Sequence, residues 1–306
     1  MRISTTTKDY GMLHLIVMIW SFTVILGLFI SIPPLEIVFF RTLIASLFLV
    51  VLFRFQGRSF RMPIEQGLKI FLTGFIIGLH WILFFWAARV SNASVCLAGM
   101  ATCSLWTAFL EPLFKKVSIK MYEVFLGLIV IAGLLVIFRF EFDYWLGLSM
   151  AIGSAFLAAC FMVINGKFTQ KHSPYVITLY EMVGACLFTV LFMPIYDLLL
   201  TEAGLNLSPA SMDWLWLIIL ALVCTIVPLS ISIDIMKRLS AFAVNLTINL
   251  EPVYGIILAV LIFGEKEKMS SGFYLGTSLV LLAICLYPVF HLIKRKRKSR
   301  QLRTLQ

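Results

Sequence analysis

Ten runs of apolar residues follow one another along this chain, each near the length of one bilayer crossing: 11–32, 35–53, 67–88, 92–114, 121–138, 145–165, 174–194, 214–236, 241–263 and 271–291. A spanning helix needs about 20 mostly apolar residues at about 1.5 Å rise each. The expectation is therefore an all-α membrane protein with ten transmembrane helices. Hydrophobic residues make up 61% of the chain and charged residues 13%, against about 45–50% and about 25% in soluble domains. A single globular core of 306 residues cannot hide that surplus. Most separations between the runs are short, which leaves no room for a separate extramembrane enzyme. The first run has no strongly basic lead-in or cleavage-site pattern and is too long for a signal-peptide core, so it is expected to stay as a spanning helix.

The formal charge of +10 would suit a nucleic-acid partner in a soluble protein, but its distribution excludes that use. With both termini placed in the cytoplasm, twenty Lys and Arg residues gather on that side, among them Arg54, Arg58, Lys167, Lys237 and Arg238. The other side receives only Arg89, Arg139, Lys266 and Lys268, and Arg41 lies inside a helix. The positive-inside rule then sets the orientation, with both termini cytoplasmic and an inner (cytoplasmic) membrane as the expected location. The cluster Lys294, Arg295, Lys296, Arg297, Lys298, Arg300 and Arg303 in the tail 294–306 is topogenic and suited to anionic lipid headgroups. Six cysteines, at 96, 103, 160, 186, 224 and 285, all fall inside apolar runs without a C-x-x-C pair. They read as small membrane-buried residues, not as disulfides or metal ligands.

The two halves of the chain resemble each other. Residues 34–46 align with 174–186 at an offset of 140, matching Pro34 with Pro174, Phe40 with Tyr180 and Ala45 with Ala185. Later matches, such as Leu126-Gly127 with Leu275-Gly276, fall at an offset of 149. The change comes in the loop 196–213, where an insertion carries little entropic cost. Five helices is an odd number, so the second copy enters the membrane upside down: an inverted pair of five-helix repeats, 1–140 and 141–293, followed by the basic tail. Such folds place substrate sites near the midplane, beside broken helices. Pro228 and Pro252 interrupt the hydrogen-bond ladder at suitable depths, although prolines also serve membrane helices as simple packing kinks.

These residues resemble the drug/metabolite transporter superfamily, and within it the EamA-type ten-helix carriers. The resemblance rests on Ile19-Trp20-Ser21-Phe22, on Pro34 followed by Phe40-Arg41 and Ala45, on Ser154-Ala155-Phe156-Leu157-Ala158, and on Leu250-Glu251-Pro252-Val253 running to Phe263-Gly264-Glu265. It implies a secondary-active or facilitative carrier, by alternating access, of small metabolites such as amino acids or amphipathic solutes, with export as the implied direction. Two departures stand out. Ser21 occupies the position where a glycine usually follows the tryptophan, and the first-repeat counterpart of Glu251-Pro252 is Cys103-Ser104, so the two halves are not expected to line a cavity equivalently.

Polar residues inside apolar runs are the candidates for chemistry, because a charge near the bilayer centre costs roughly 3 kcal/mol even on insertion scales. Arg41 and Glu181 occupy equivalent positions in the two repeats and are coupling or gating candidates. Either they meet across the repeat interface, or each finds a local partner, Glu36 being available to Arg41. In the ninth run, Asn245 and Asn249 share one helix face while Thr247 and Glu251 share the opposite one. Only one stripe can point straight at a cavity, and the sequence leaves both open. Trp20, away from the aromatic belts, and His80 beside Trp81 are further cavity candidates, with ordinary packing the competing role for His80. Glu111 with Lys115 and Asp234 with Arg238 have the spacing of surface ion pairs.

No G-x-x-x-x-G-K-[ST] loop is present for nucleotide-driven transport. No cofactor or metal is expected, and the only partners expected are a small-molecule substrate, the lipid bilayer and, through Glu181 or Glu251, protons. Two alternatives use the same residues differently. A carrier of nucleotide-linked or phosphorylated sugars needs several cavity cations where only Arg41 is available. A membrane-embedded lipid-processing enzyme needs clustered carboxylates or a Ser/His/Asp set at one depth.

Overall fold

Prolines, glycines and short polar turns set the ends of the helices. Pro34 and Pro174 each open a helix at a first-turn position, where the missing N–H would be unpaired anyway. Gly264, at φ +60°, closes one in a backbone conformation that side chains disfavour. The computed structural model describes residues 5–116, 121–248 and 250–303. Its helices are α1 (Thr5–Phe29), α2 (Pro34–Phe55), α3 (Ile64–Val90), α4 (Ala93–Met100), α5 (Cys103–Lys115), α6 (Met121–Phe140), α7 (Trp145–Phe168), α8 (Pro174–Leu199), α9 (Ser211–Ala221), α10 (Val227–Ile235), α11 (Ala241–Ile248), α12 (Glu251–Phe263) and α13 (Ser271–Arg303). A π-helical turn over Leu222–Ile226 joins α9 to α10. Among the described residues there is no strand.

The predicted runs correspond to ten passes, three of them interrupted: α4 with α5, α9 with α10, and α11 with α12. Seven stretches, including Ala93–Phe114 and Ser211–Ile235, are long and apolar enough to cross a membrane, and Phe125–Phe140 and Ser271–Ala283 are shorter apolar helices. The helix ends overrun the apolar runs by up to a turn or so. The α13 backbone continues through Arg303 into the basic segment.

Helix breaks occupy matching places in the two halves, and the proline explains only one of them. Pro252 sits in the first turn of α12, just past the interruption between α11 and α12. Residues 101–102 interrupt the counterpart pass without a proline. There the Thr102 hydroxyl and N–H both donate to the Gly99 carbonyl, at 2.8 and 3.1 Å. Local side-chain bonding of this kind competes with the helical ladder.

The halves interlock through α2 and α3 of the first and α7 and α8 of the second, while α6 and α13 pack together. Close backbone approach makes the α3–α8 contact. A Cβ added at Gly74 would lie 2.3 Å from the Glu181 carbonyl oxygen, and one at Gly184 would lie 2.0 Å from that of Phe71. Without a hydrophobic driving force between helices in lipid, such small-residue contacts supply much of the packing attraction. The Gly184→Ala change is expected to cost roughly 1–3 kcal/mol through overpacking. Gly153→Ala, whose Cβ meets only Leu83 Cδ1 at 3.6 Å, is expected to be neutral or slightly stabilising. Thermal unfolding of the two purified variants checks this, and equal midpoints would contradict the packing account.

Candidate functional site: a midplane cavity between the repeats

The cavity starts from a defect in the eighth pass. Pro228 has no N–H, so the Cys224 carbonyl four residues earlier has no helical donor. The π turn accommodates the proline, with the Val227 N–H reaching back to the Leu222 carbonyl. The exposed polar groups are then taken by Arg41 of α2. Its Nε donates to Thr225 Oγ1 at 2.6 Å and its Nη2 to the Cys224 carbonyl at 3.3 Å, while Thr225 Oγ1 donates to the Leu220 carbonyl at 2.7 Å. The guanidinium carbon lies 3.8 Å from the ring centroid of Trp81, a cation–π contact worth about 2 kcal/mol when desolvated. Arg41 is 1% exposed, and its Nη1 has no hydrogen-bond partner.

Around this guanidinium lies a cavity of about 80 Å³ lined by Trp20, Thr23, Arg41, His80, Trp81, Phe84, Met100, Cys103, Ala158, Phe161, Met162, Thr225, Leu229, Ile248, Glu251 and Pro252. Its walls come from both repeats and from all three interrupted passes. Drug-sized sites run to roughly 300–1,000 Å³, so in this conformation only a small solute has room. Glu251 opens α12 and faces the cavity opposite the Arg41 charge, with no hydrogen bond to its carboxylate among the described residues. The serine that departs from the family pattern supports this turn: Ser21 Oγ lies 2.9 Å from the Val17 carbonyl and 3.2 Å from that of Glu251.

Trp20, Trp81, His80, Glu251, Pro252 and Arg41 are thus brought together. Several pairings differ from those expected. Arg41 and Glu181 do not meet: Arg41 is held by Thr225 and Cys224, whereas Glu181 Oε1 contacts Thr73 Oγ1 at 3.1 Å, away from the cavity. Glu36 does not serve Arg41 either, since its Oε1 accepts from the Asn206 N–H at 3.0 Å. His80 lines the cavity and also ties the repeats together. Its Nδ1 donates to the Ser154 carbonyl at 2.9 Å, and Ser154 Oγ donates to the His80 carbonyl at 2.8 Å. Pro228 acts from behind the wall. Asn249 and the side chain of Asn245 lie outside the described residues, as does the side chain of Lys115. Arg238 pairs with Asp234 at 3.1 Å, but its two-pronged contact, at 2.9 Å twice, is to Asp9 of α1. Thr225, Cys103 and Phe161 were not anticipated; the Cys-Thr step just before Pro228 was the available signal for Thr225.

The two ends of the cavity differ. On the face away from the termini, buried carboxylates cross from one repeat to the other. Asp213 accepts from the Ser31 N–H at 2.8 Å and from its hydroxyl at 2.5 Å, and Glu267 accepts from the Ala93 N–H, the Ser94 N–H and the Ser94 hydroxyl at 3.0, 2.9 and 2.7 Å. Arg89 Nη2 donates to the Gly27, Ile30 and Ile32 carbonyls, closing the end of α1. On the face bearing the termini, Asp9–Arg238 joins the repeats beside a separate pocket of about 360 Å³ bordered by Glu111, Phe114, Lys167, Gln170 and Arg238.

This is a helical membrane carrier in form, with a small charged cavity at the junction of two repeats, sealed at one end more firmly than at the other. The chain belongs to the EamA-like transporter family, whose sequence profile matches residues 9–139 and again 145–287. It is similar to an uncharacterized transporter, YojE, of Bacillus subtilis (strain 168), with 24% identity over 282 residues that cover 88% of this chain and 89% of that protein. A crystal structure with 14% identity superposes with a TM-score of 0.66 over 92% of this chain and 98% of the other, which shows the shared fold.

The native Cys103 reports on access from each side. In a protein retaining only that cysteine, Asp9→Ala is expected to raise its labelling by a membrane-impermeant maleimide from the face bearing the termini. Asp213→Ala is expected to raise it from the opposite face. Unchanged labelling from both faces would contradict the assignment of these contacts as seals.

Proposed function

We propose that the protein moves small amphipathic solutes of the amino-acid type across the inner membrane by alternating access, in the direction of export, and is not an enzyme. The observation that carries this reading is that one fixed cation, Arg41, and one carboxylate that accepts no hydrogen bond among the described residues, Glu251, line the same small aromatic-walled cavity. A solute carboxylate suits the free Nη1 of Arg41, its ammonium suits Glu251, and its apolar part suits Trp20, Trp81, Phe84 and Phe161. A single cation and about 80 Å³ favour this over a nucleotide-linked sugar.

The repeats 1–140 and 141–293 act as the two rocking bodies, and Arg41, Trp81 and Glu251 serve both as solute contacts and as part of the seam. The charge distribution puts the face bearing the termini in the cytoplasm. The pocket of about 360 Å³ beside Asp9–Arg238 then faces the cytoplasm, which supports loading from inside. The basic segment 294–306 lies against anionic headgroups.

Counterflow in proteoliposomes with labelled leucine, phenylalanine and tryptophan tests the reading. Arg41→Lys keeps a charge but loses the fork and the stacked plane, so exchange is expected to fall at least tenfold, about 1.4 kcal/mol of binding. Glu251→Gln is expected to weaken amino acids more than their deaminated acids. If the wild-type protein exchanges none of these solutes, the amino-acid reading fails.

A further inference from the structure

Glu181 is buried away from the cavity, at the contact where α3 of the first repeat presses on α8 of the second. Its surroundings contain more polar valence than the hydrogen bonds use. Glu181 and Asn165 are fully buried and Thr73 is 3% exposed. Glu181 Oε2 and both side-chain amide atoms of Asn165 make no hydrogen bond within 3.5 Å among the described residues, although Asn165 stands close enough to Glu181 for a longer polar contact. Buried polar groups are seldom left unpaired without a reason such as an unseen ion, water or proton.

The Thr73 hydroxyl sharpens the point. Its oxygen lies 2.5 Å from the Ile70 carbonyl and 3.1 Å from Glu181 Oε1, and one hydroxyl proton cannot serve both. With that proton on the Ile70 carbonyl, an ionised Glu181 would set lone pair against lone pair. A protonated Glu181 would instead donate to Thr73 Oγ1 or to Asn165 Oδ1.

Among the described residues, the charged side chains of the neighbouring helices are engaged elsewhere or lie at the surface, as the exposed Arg54 in the last turn of α2 does. On α2, Arg41 is seated on Thr225 and Cys224, and Glu36 on Asn206. On α3, Lys69 pairs with Glu65 at the surface, Arg89 caps α1, and His80 is tied to Ser154. Lys167 of α7 sits over Phe114, and Asp234 of α10 pairs with Lys237 and Arg238.

We propose that Glu181, framed by Thr73 and Asn165, is a proton-binding site distinct from the solute cavity, and that its loading and release accompany the rocking of the repeats. The step is Glu181 carboxylate plus hydronium giving the neutral acid and water, with no change of oxidation state. Ionisation would place an unpaired charge in the glycine-spaced α3–α8 contact and push that seam open, whereas protonation lets it close. The coupling half of this proposal rests on the transport reading above; the proton site does not.

Infrared spectroscopy of the protein in lipid vesicles, in choline chloride at neutral pH, tests the site directly. A carboxylic-acid C=O band is expected that persists in Glu251→Gln, is lost in Glu181→Gln, and shifts in Asn165→Ala and Thr73→Val. Should Glu181→Gln fail to fold, Glu181→Asp is expected to move the band. No band assignable to residue 181, or a band abolished when sodium replaces choline, would overturn the proton assignment, the second outcome because the occupant would be sodium. For coupling, a pH gradient is expected to drive leucine accumulation by the wild type and to have no effect on Glu181→Gln. Gradient-driven accumulation by Glu181→Gln equal to wild type would overturn coupling at this site. If the wild type moves none of leucine, phenylalanine and tryptophan, the transport reading and the coupling half fail, while the infrared result still decides the site.

Discussion

A permanently charged guanidinium held at the centre of a membrane protein constrains everything around it. Arg41 cannot shed its proton, so the fold must supply acceptors and a polarisable surface at that depth. It does so with the hydroxyl of Thr225, the carbonyl that Pro228 leaves free at Cys224, and the face of Trp81. The first two come from the π turn and the third from α3, and each is costly to remove because the charge would remain. The π turn, ordinarily an unfavourable piece of helix, is therefore part of the cation's seat. Two of the five guanidinium N–H donors are used in this way and Nη1 makes no hydrogen bond among the described residues, so the cation is held but not saturated.

The inverted repeats share a frame but not a chemistry. Both carry an interrupted helix at matching positions, and both breaks reach the cavity, yet one offers Cys103 and the other Glu251. On the proposed reading, a pseudo-symmetric frame suits rocking between equivalent shapes, and unequal linings suit a solute with two unlike ends. The end seals are unequal as well. Buried carboxylates accepting several N–H and O–H donors hold the far face, and a partly exposed Asp9–Arg238 pair spans the face bearing the termini. Exposed pairs contribute about 0–1 kcal/mol, whereas hydrogen bonds to buried charged groups contribute about 1.5–3 kcal/mol each.

Much of the fold was legible because bilayer thickness sets helix length and composition reports burial. The ten passes, the polar character of Glu251 and the central places of Trp20 and Trp81 all followed from apolar runs and depth. Pairings were not legible. Equivalent sequence positions put Arg41 opposite Glu181, but inversion places equivalent residues at mirrored depths, and the strongest acceptors for Arg41 were a backbone carbonyl and a threonine, groups with no distinctive signal. The break at residues 101–102 carries no proline, so only its partner at Pro252 announced it. Asp9 escaped notice as the partner of Arg238 because the two lie far apart in sequence, while Asp234 stood one turn away.

The central claim is that the two repeats rock about the Arg41 seam so that one face closes as the other opens. Electron-spin distance measurements on two labelled pairs in lipid test it, one pair at residues 58 and 171 on the face bearing the termini and one at residues 90 and 200 on the far face. Across a pH titration and with added amino acids, the account predicts opposite changes, one distance distribution lengthening as the other shortens. Two distributions that stay fixed, or that lengthen together, would contradict it.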